Sequence, residues 1–317
     1  MSPADPADSS WSSGSPVHVL LAVDTLQVVG CAVTMRSIVD NVRPGTRLRF
    51  HVFANGIASR DREALEGMFV GTSGARLIIY DVDCSRFHHL MRSKIVSHTT
   101  YARLLIQELL PQDVERCIYV DCDILVECDI VDAWEYPLEG KTAGAVANGD
   151  AADTAQHQRR LKLREARYLN AGFLVIDVCR WRQLGIGPRA LVCAEAVGDD
   201  LILHDQDALN CVLQQDWVEM PRHWNAWVAM SSWLRDDSRA VFHFMGAPKP
   251  WEADYRGRFA DHFARYLDGT PFAGKRPWNP LGLGALLSGA RRRVPHLPAV
   301  VRIARRFLAS RTPPDIA

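Results

Sequence analysis

Apolar residues run almost unbroken through Val17-His18-Val19-Leu20-Leu21-Ala22-Val23 and stop at Asp24. That is the pattern of a strand buried on both faces and ending in an acid. Small and apolar residues then recur at helical spacing over 28–39. Residues 47–53 and 76–80 predict two more strands, with a helix over 59–68 between them that takes Ser59 as its cap. A further helix spans 101–110 and is stopped by Pro111. Strand patterns return at 144–147, 172–177 and 240–244, and 206–213 reads as a helix. Residues 150–167 are polar and lack an apolar stripe, which predicts a mobile loop or a surface helix. No segment repeats. Strand alternating with helix predicts an α/β fold, Rossmann-like and doubly wound on a mainly parallel sheet.

The sharpest chemical signal is Arg116-Cys117-Ile118-Tyr119-Val120-Asp121-Cys122-Asp123-Ile124-Leu125-Val126. A buried strand delivers two aspartates one residue apart, and then the apolar run resumes. Ligands of open α/β sheets bind beyond the carboxyl ends of the strands. Two carboxylates crowded there repel unless a cation lies between them. Oxygen ligands suit Mn²⁺ or Mg²⁺, and an ion so held can in turn hold a diphosphate.

Spacing alone decides little, because Asp81/Asp83 and Asp205/Asp207 repeat it. Three downstream stretches raise the middle pair above the others. Asn170-Ala171-Gly172 stands at the mouth of a strand, and His204-Asp205-Gln206-Asp207 at a helix start. His243, Gly246 and Lys249 come after the last strand begins. Each has an ordinary reading when taken alone: a turn, an N-cap at Asp205, a core histidine, a solvated lysine. Together they supply carboxylates and an imidazole for a metal, a lysine for phosphate, and polar groups for sugar hydroxyls.

Composition narrows the class more than the chemistry. With 317 residues, 48% hydrophobic and 23% charged, the chain can bury a large core. No apolar run reaches the length of about 18 residues that spans a bilayer. Residues 1–16 lack the order of a secretion signal and read as a disordered tail. The eight cysteines show no C-x-x-C, and most sit in apolar runs (Cys31, Cys117, Cys179, Cys211). They read as reduced, buried thiols of a cytoplasmic protein.

A net charge of zero hides an asymmetry. Residues 275–317 carry nine Lys/Arg against one Asp, so the remainder holds an equal acidic excess. In that basic segment Leu297, Val300, Val301, Ile303, Ala304, Phe307 and Leu308 project to one side of a helix, and Arg302, Arg305 and Arg306 to the other. Pro295 and Pro298 confine the helix to the residues after Ala299. Such a segment either touches an anionic membrane at its inner face or docks on the domain formed by 17–274. No nucleic-acid partner is expected.

In this order the motifs resemble family 8 of the retaining glycosyltransferases, on the side of the bacterial lipo-oligosaccharide α-galactosyltransferases, over about residues 17 to 251. The resemblance rests on Ala22-Val23-Asp24, Thr99-Thr100-Tyr101-Ala102-Arg103-Leu104, Asp121/Asp123, Asn170-Ala171-Gly172, Asp205-Gln206-Asp207, and the closing set His243, Gly246, Lys249, Pro250 and Trp251. It implies a GT-A fold, transfer of a hexose from UDP-galactose or UDP-glucose with retention, and Mn²⁺ or Mg²⁺ as cofactor. Asp121, Asp123 and His243 would ligate the metal, and Lys249 and the Gly246 amide would hold the diphosphate. Ala22 and Asp24 would take the nucleoside and Arg103 the donor sugar. Asn170, Asp205 and Gln206 would line the reacting sugar, with Gln206 at the face opposite the leaving group. The acceptor would be a hydroxyl of a glycan, a lipid-linked glycan or a small molecule.

One departure stands out. After Asp24 the family commonly carries Asn-Tyr, which touches the nucleoside; here the chain reads Thr25-Leu26-Gln27. From another class comes a catalytically silent nucleotide-sugar-binding or membrane-surface protein on the same fold. A nucleotidyltransferase is disfavoured, because no Gly-rich basic loop succeeds the first strand.

Overall fold

The computed structural model describes residues 15–72, 74–90, 97–149, 151–253 and 255–275. Strand β1 (Val17–Asp24) leads to α1 (Val28–Asn41), β2 (Leu48–Asn55), α2 (Ser59–Gly67) and β3 (Ala75–Asp81). A 3₁₀ segment, His98–Leu105, runs into the short α3 (Ile106–Leu109), and β4 (Arg116–Val120) comes next. The turn Asp121-Cys122-Asp123 separates β4 from β5 (Ile124–Val126). Then come α4 (Ile130–Trp134), β6 (Ala143–Ala147), α5 (Ala151–Leu161), β7 (Leu169–Asp177), α6 (Val178–Leu184), α7 (Ile186–Val197) and α8 (His204–Leu213). Strands β8 (Trp217–Glu219), β9 (Ala226–Trp227) and β10 (Val241–His243) precede α9 (Ala260–Leu267).

The main sheet has the order β3-β2-β1-β4-β7-β6-β8. Its pairings are parallel except at β7, which runs antiparallel to both β4 and β6. That single reversal matters for the site. The N-terminal half of β7 reaches the same edge of the sheet as the C-terminal end of β4, where Val120 pairs with Phe173. A second sheet, β5-β10-β9, continues from that edge. One apolar core, including Leu21, Val23, Ile118, Val120 and Phe242, spans the main sheet, α1 and the small sheet. A second, with Leu20, Tyr119, Leu174 and Trp181, fills the other face.

The outer edge of β5 is sealed by side chains instead of a strand. Thr34 Oγ1 donates to Ile124 O at 2.6 Å, Ser37 Oγ accepts from Val126 N at 3.0 Å, and Asn41 Nδ2 donates to Val126 O at 3.1 Å. Helix α1 thus satisfies backbone groups that would otherwise be buried without partners. The helix can come this close because residue 30 is glycine. A Cβ there would stand 2.4 Å from Cys122 O and 2.5 Å from the Trp251 ring.

Several expectations need correcting. Ser59 lies inside the first turn of α2; the cap position is Ala58, and no side chain bonds there. The segment expected as one α-helix over 101–110 is 3₁₀ through Leu105. There the Arg103 guanidinium competes for backbone, with Nε donating to Thr100 O at 3.2 Å. Asn170-Ala171-Gly172 lies within β7, not in a turn at its mouth. Cys179 is exposed, because the residues of α6 turned inward are its neighbours Val178 and Trp181. All eight cysteines are free thiols, and Cys31, Cys84, Cys117 and Cys122 are buried. Of the two alternatives for residues 150–167, a loop or a surface helix, the helical one holds, since they contain α5. The tail through residue 14 and the basic segment from 276 onward lie outside the described residues.

Candidate active site

The Asp121-Cys122-Asp123 turn is stitched to three elements. Asp121 N donates to Gly172 O in β7 at 2.8 Å, Phe244 N after β10 donates to Asp123 O at 2.9 Å, and Cys122 Sγ donates to Ala22 O in β1 at 3.1 Å. The turn follows β4 directly, so both carboxylates stand at the C-terminal end of that strand. His243 arrives from β10, which pairs antiparallel with β5 so that His243 stands opposite Ile124.

Asp121, Asp123 and His243 each offer one ligand atom within 4.8 Å of the others, and among the described residues no other group of His, Cys, Asp or Glu does so. His243 Nε2 is 3.2 Å from Asp123 Oδ1, and Lys249 Nζ bonds Asp123 Oδ2 and Phe244 O. The seat of the imidazole depends on Gly172, where a Cβ would lie 2.4 Å from His243 Cε1. Hard oxygen donors with one imidazole suit a first-row or alkaline-earth divalent cation.

The two carboxylates do not simply repel across an empty gap, as their spacing alone predicts. Each has its own cation. Asp121 Oδ1 accepts from Arg103 Nη2 at 2.7 Å and from Tyr119 Oη at 2.8 Å. Burial opposes charge on Asp123, but Lys249 and His243 outweigh it and hold that carboxyl well below the usual range. Arg103, only 5% exposed, also reaches Asp205 Oδ2 at 2.8 Å and donates through Nη1 to Ala171 O at 2.5 Å. Burial works against its charge as well; Asp121 and Asp205 prevail and raise its pKa further. Asp205 bears the opposite shift: burial pushes its carboxyl up to about 6, against the pull of Arg103 and the Thr100 hydroxyl.

Asp205 is not the cap of α8. Leu203 holds that position, and Asp205 lies in the first turn facing Arg103 and Thr100. Asp207, fully buried, secures the helix start instead. Its Oδ2 accepts from Ile202 N and Leu203 N at 2.7 Å, and its carboxylate also takes both Arg160 Nη groups and the Tyr168 hydroxyl.

Gln206 and Asn170 come together through Asn148. Asn170 Nδ2 donates to Asn148 Oδ1 at 3.0 Å, and Gln206 Nε2 does so at 3.4 Å. Gln206 Oε1 accepts from Ala171 N at 3.0 Å. Asp24 closes β1 with Oδ1 accepting from Leu26 N at 2.9 Å, while Gly246 lies in the loop between His243 and Lys249. The expected residues therefore gather along one edge of the sheet, on the ends of β1, β4, β7 and β10 and the start of α8. Sequence reasoning missed Asn148, Asn225, Tyr119 and Tyr168, which join them. For Asn225 a faint signal existed, as an amide inside the apolar run Trp224-Asn225-Ala226-Trp227.

A mainly parallel sheet with one reversed strand, and acids at its carboxyl edge, is the arrangement expected of a GT-A fold. The chain belongs to glycosyl transferase family 8, whose model matches residues 18–254. General stress protein A of Bacillus subtilis (strain 168) is 27% identical over 270 residues, covering 79% of this chain and 90% of that protein. The lipopolysaccharide 1,3-galactosyltransferase of Salmonella typhimurium is 24% identical over 285 residues, 85% of this chain and 83% of its own length. Among solved structures, galactosyltransferase LgtC in complex with donor and acceptor sugar analogs superposes with a TM-score of 0.70 at 25% identity. That match covers 80% of this chain and 96% of LgtC. Among the described residues no helix is long and apolar enough to cross a membrane.

Proposed function

We propose that this glycosyltransferase is metal-dependent and retaining, moving a hexose from UDP-galactose or UDP-glucose to a hydroxyl of a glycan, lipid-linked or small-molecule acceptor with an α-linked product. The observation that carries the reading is the convergence of Asp121, Asp123 and His243 with Lys249 at one sheet edge. Likeness to a lipopolysaccharide galactosyltransferase and to LgtC supports the donor and acceptor classes.

Asp121, Asp123 and His243 would hold Mn²⁺ or Mg²⁺. A divalent ion there supplies Lewis-acid neutralisation of the charge that develops on the departing diphosphate. Lys249, bonded to Asp123 and Phe244 O, adds a second positive charge and would exchange that contact for a phosphate oxygen. The Gly246 amide would donate to the same diphosphate. Ala22 and Asp24 would meet the nucleoside at the end of β1. Arg103 already engages Asp121, Asp205, Ala171 O and Thr100 O. Its role in this reading is to hold the two acids in register beside the donor sugar.

Asn170, Asp205 and Gln206 would line the reacting sugar. Gln206 is an amide, a weak nucleophile, and its oxygen is committed to Ala171 N. Front-face attack therefore suits the site better than double displacement, with the leaving phosphate taking the acceptor's proton. A donor screen with purified protein tests the reading: hydrolysis of UDP-galactose or UDP-glucose is expected with Mn²⁺ and none in chelator. Proton NMR of the transferred sugar should show an α anomer, and a β product refutes retention. Peripheral contact of the basic 275–317 segment with an anionic leaflet is a separate proposal. It predicts pelleting with anionic vesicles at low salt and release at high salt.

A further inference from the structure

Two backbone N–H groups settle the direction of every side-chain amide around His243. Gly172 N donates to Asn170 Oδ1 at 2.9 Å, so the atom of Asn170 facing it is the oxygen. Asn225 meets that same oxygen at 2.7 Å and must present its NH₂ there. Its own oxygen is thereby left against His243 Nδ1, at 2.7 Å. An amide oxygen only accepts, so Nδ1 carries a proton. The opposite side gives an independent check. Ala171 N fixes Gln206 Oε1, which turns Gln206 Nε2 toward Asn148 Oδ1, and Asn170 Nδ2 arrives at that same acceptor. The two assignments meet at Asn148 without conflict.

We propose that Asn225 is a positioning residue that fixes a proton on His243 Nδ1, so that Nε2 is the ring nitrogen left to serve the Asp121–Asp123 turn. This rests on the metal reading above only for its purpose; the tautomer itself is a property of the metal-free chain. The other close neighbour of the ring favours the opposite choice. Nε2 stands 3.2 Å from Asp123 Oδ1, and a carboxylate draws the proton toward itself. Were Nε2 protonated and Nδ1 bare, the ring would offer a metal an N–H instead of a lone pair. Asn225 and Asp123 therefore compete for the imidazole proton, and Asn225 is held to its task by Asn170 and the Gly172 N–H. Asn225, Asn170 and His243 are all buried, 3%, 2% and 4% exposed, so water supplies no substitute acceptor. Groups that orient a ligating histidine this way typically change metal affinity by about 10- to 100-fold.

Long-range ¹H–¹⁵N spectra of metal-free protein at about pH 9, well above the usual histidine pKa, read the tautomer directly. His243 is expected with Nδ1 protonated; a bare Nδ1 overturns the proposal. Calorimetric Mn²⁺ binding supplies the second readout. Asn225→Ala should lose roughly 10- to 100-fold in affinity. Equal affinity and an unchanged tautomer in Asn225→Ala refute it. If Asn225→Ala does not fold, the wild-type spectrum still decides. Wild-type protein that takes up no Mn²⁺ would defeat the metal reading alone, because the tautomer is measured without metal.

Discussion

The acids of the β4–β5 turn and those at the start of α8 share one spacing on two kinds of backbone. In the β4–β5 turn, Asp121 and Asp123 each bring a carboxylate oxygen within 4.8 Å of the other and of His243. In the helix, a step of two residues rotates the side chain by about 200°. Asp205 therefore meets Arg103 beside the cleft, while Asp207 points into the interior toward Arg160, Tyr168 and two backbone N–H groups. A pair of aspartates two residues apart stays together in the turn and is split on the helix into a partner of Arg103 and a buried anchor. The environments differ in step: Asp123 is held ionised by Lys249 and His243, whereas burial drives Asp205 toward the protonated form.

Asp123→Ala strikes the contrast at its strongest point. Transfer should fall at least about 100- to 1,000-fold, the scale of losing a preorganised electrostatic group, with Mn²⁺ affinity falling alongside. The metal-free variant should not gain stability, because Asp123 is compensated by Lys249 and His243. A higher Tm without metal would mean that the two acids do repel as their bare spacing suggests.

Asp207→Ala tests the anchor. Removing one partner of the buried Arg160 pair should cost about 3–5 kcal/mol in urea unfolding. Donor affinity of the folded fraction should stay near wild type. A cost below about 1 kcal/mol would show that water or Tyr168 relieves Arg160.

Asp205→Asn gives a smaller, pH-dependent effect. The folded pKa of about 6 lies above the ordinary carboxyl value of 3.8. Folding therefore favours protonated Asp205; its contribution is fully present below about pH 4 and is lost as pH rises to about 6. The asparagine variant lacks that loss. Its stability relative to wild type should climb by at most about 3 kcal/mol between about pH 4 and 6 and stay level above. A flat difference across that window would place the carboxyl in water.

The third pair supplies the smallest effect. Asp81 is 85% exposed, and its ion-pair partner among the described residues is the Arg62 side chain. Asp81→Asn should leave transfer unchanged and move Tm by less than about 2 °C.

Legibility in the sequence tracks how local each cause is. Strand β1 ends where its apolar run does, at Asp24, because burial on both faces leaves an uninterrupted stretch. The α/β alternation and the edge bearing Asp121 and Asp123 are visible for the same reason. The segment around Arg103 is 3₁₀ where the sequence predicts an α-helix, and its guanidinium meets acids distant in sequence that no local pattern reveals. Asn-Ala-Gly favours a turn by composition, yet it lies within β7, between Leu169, which pairs with Ala147, and Phe173, which pairs with Val120. Asn148 and Asn225 give almost no signal. Their work is done on partners 22 and 55 positions from Asn170, and no periodicity encodes such a meeting.

The pairing of β10 with β5 has a consequence for biosynthesis. Both aspartates are translated before Ile124, but the imidazole and ammonium that complete their setting come only at His243 and Lys249. A nascent chain that has emerged through β8 thus displays the carboxylates without the histidine, on a strand whose hydrogen-bonding partner does not yet exist. Arrested fragments ending before Val241 should accordingly bind Mn²⁺ far more weakly than the full chain. Catalytic competence would then switch on late in translation, when the last short strand docks, instead of growing gradually as the main sheet assembles.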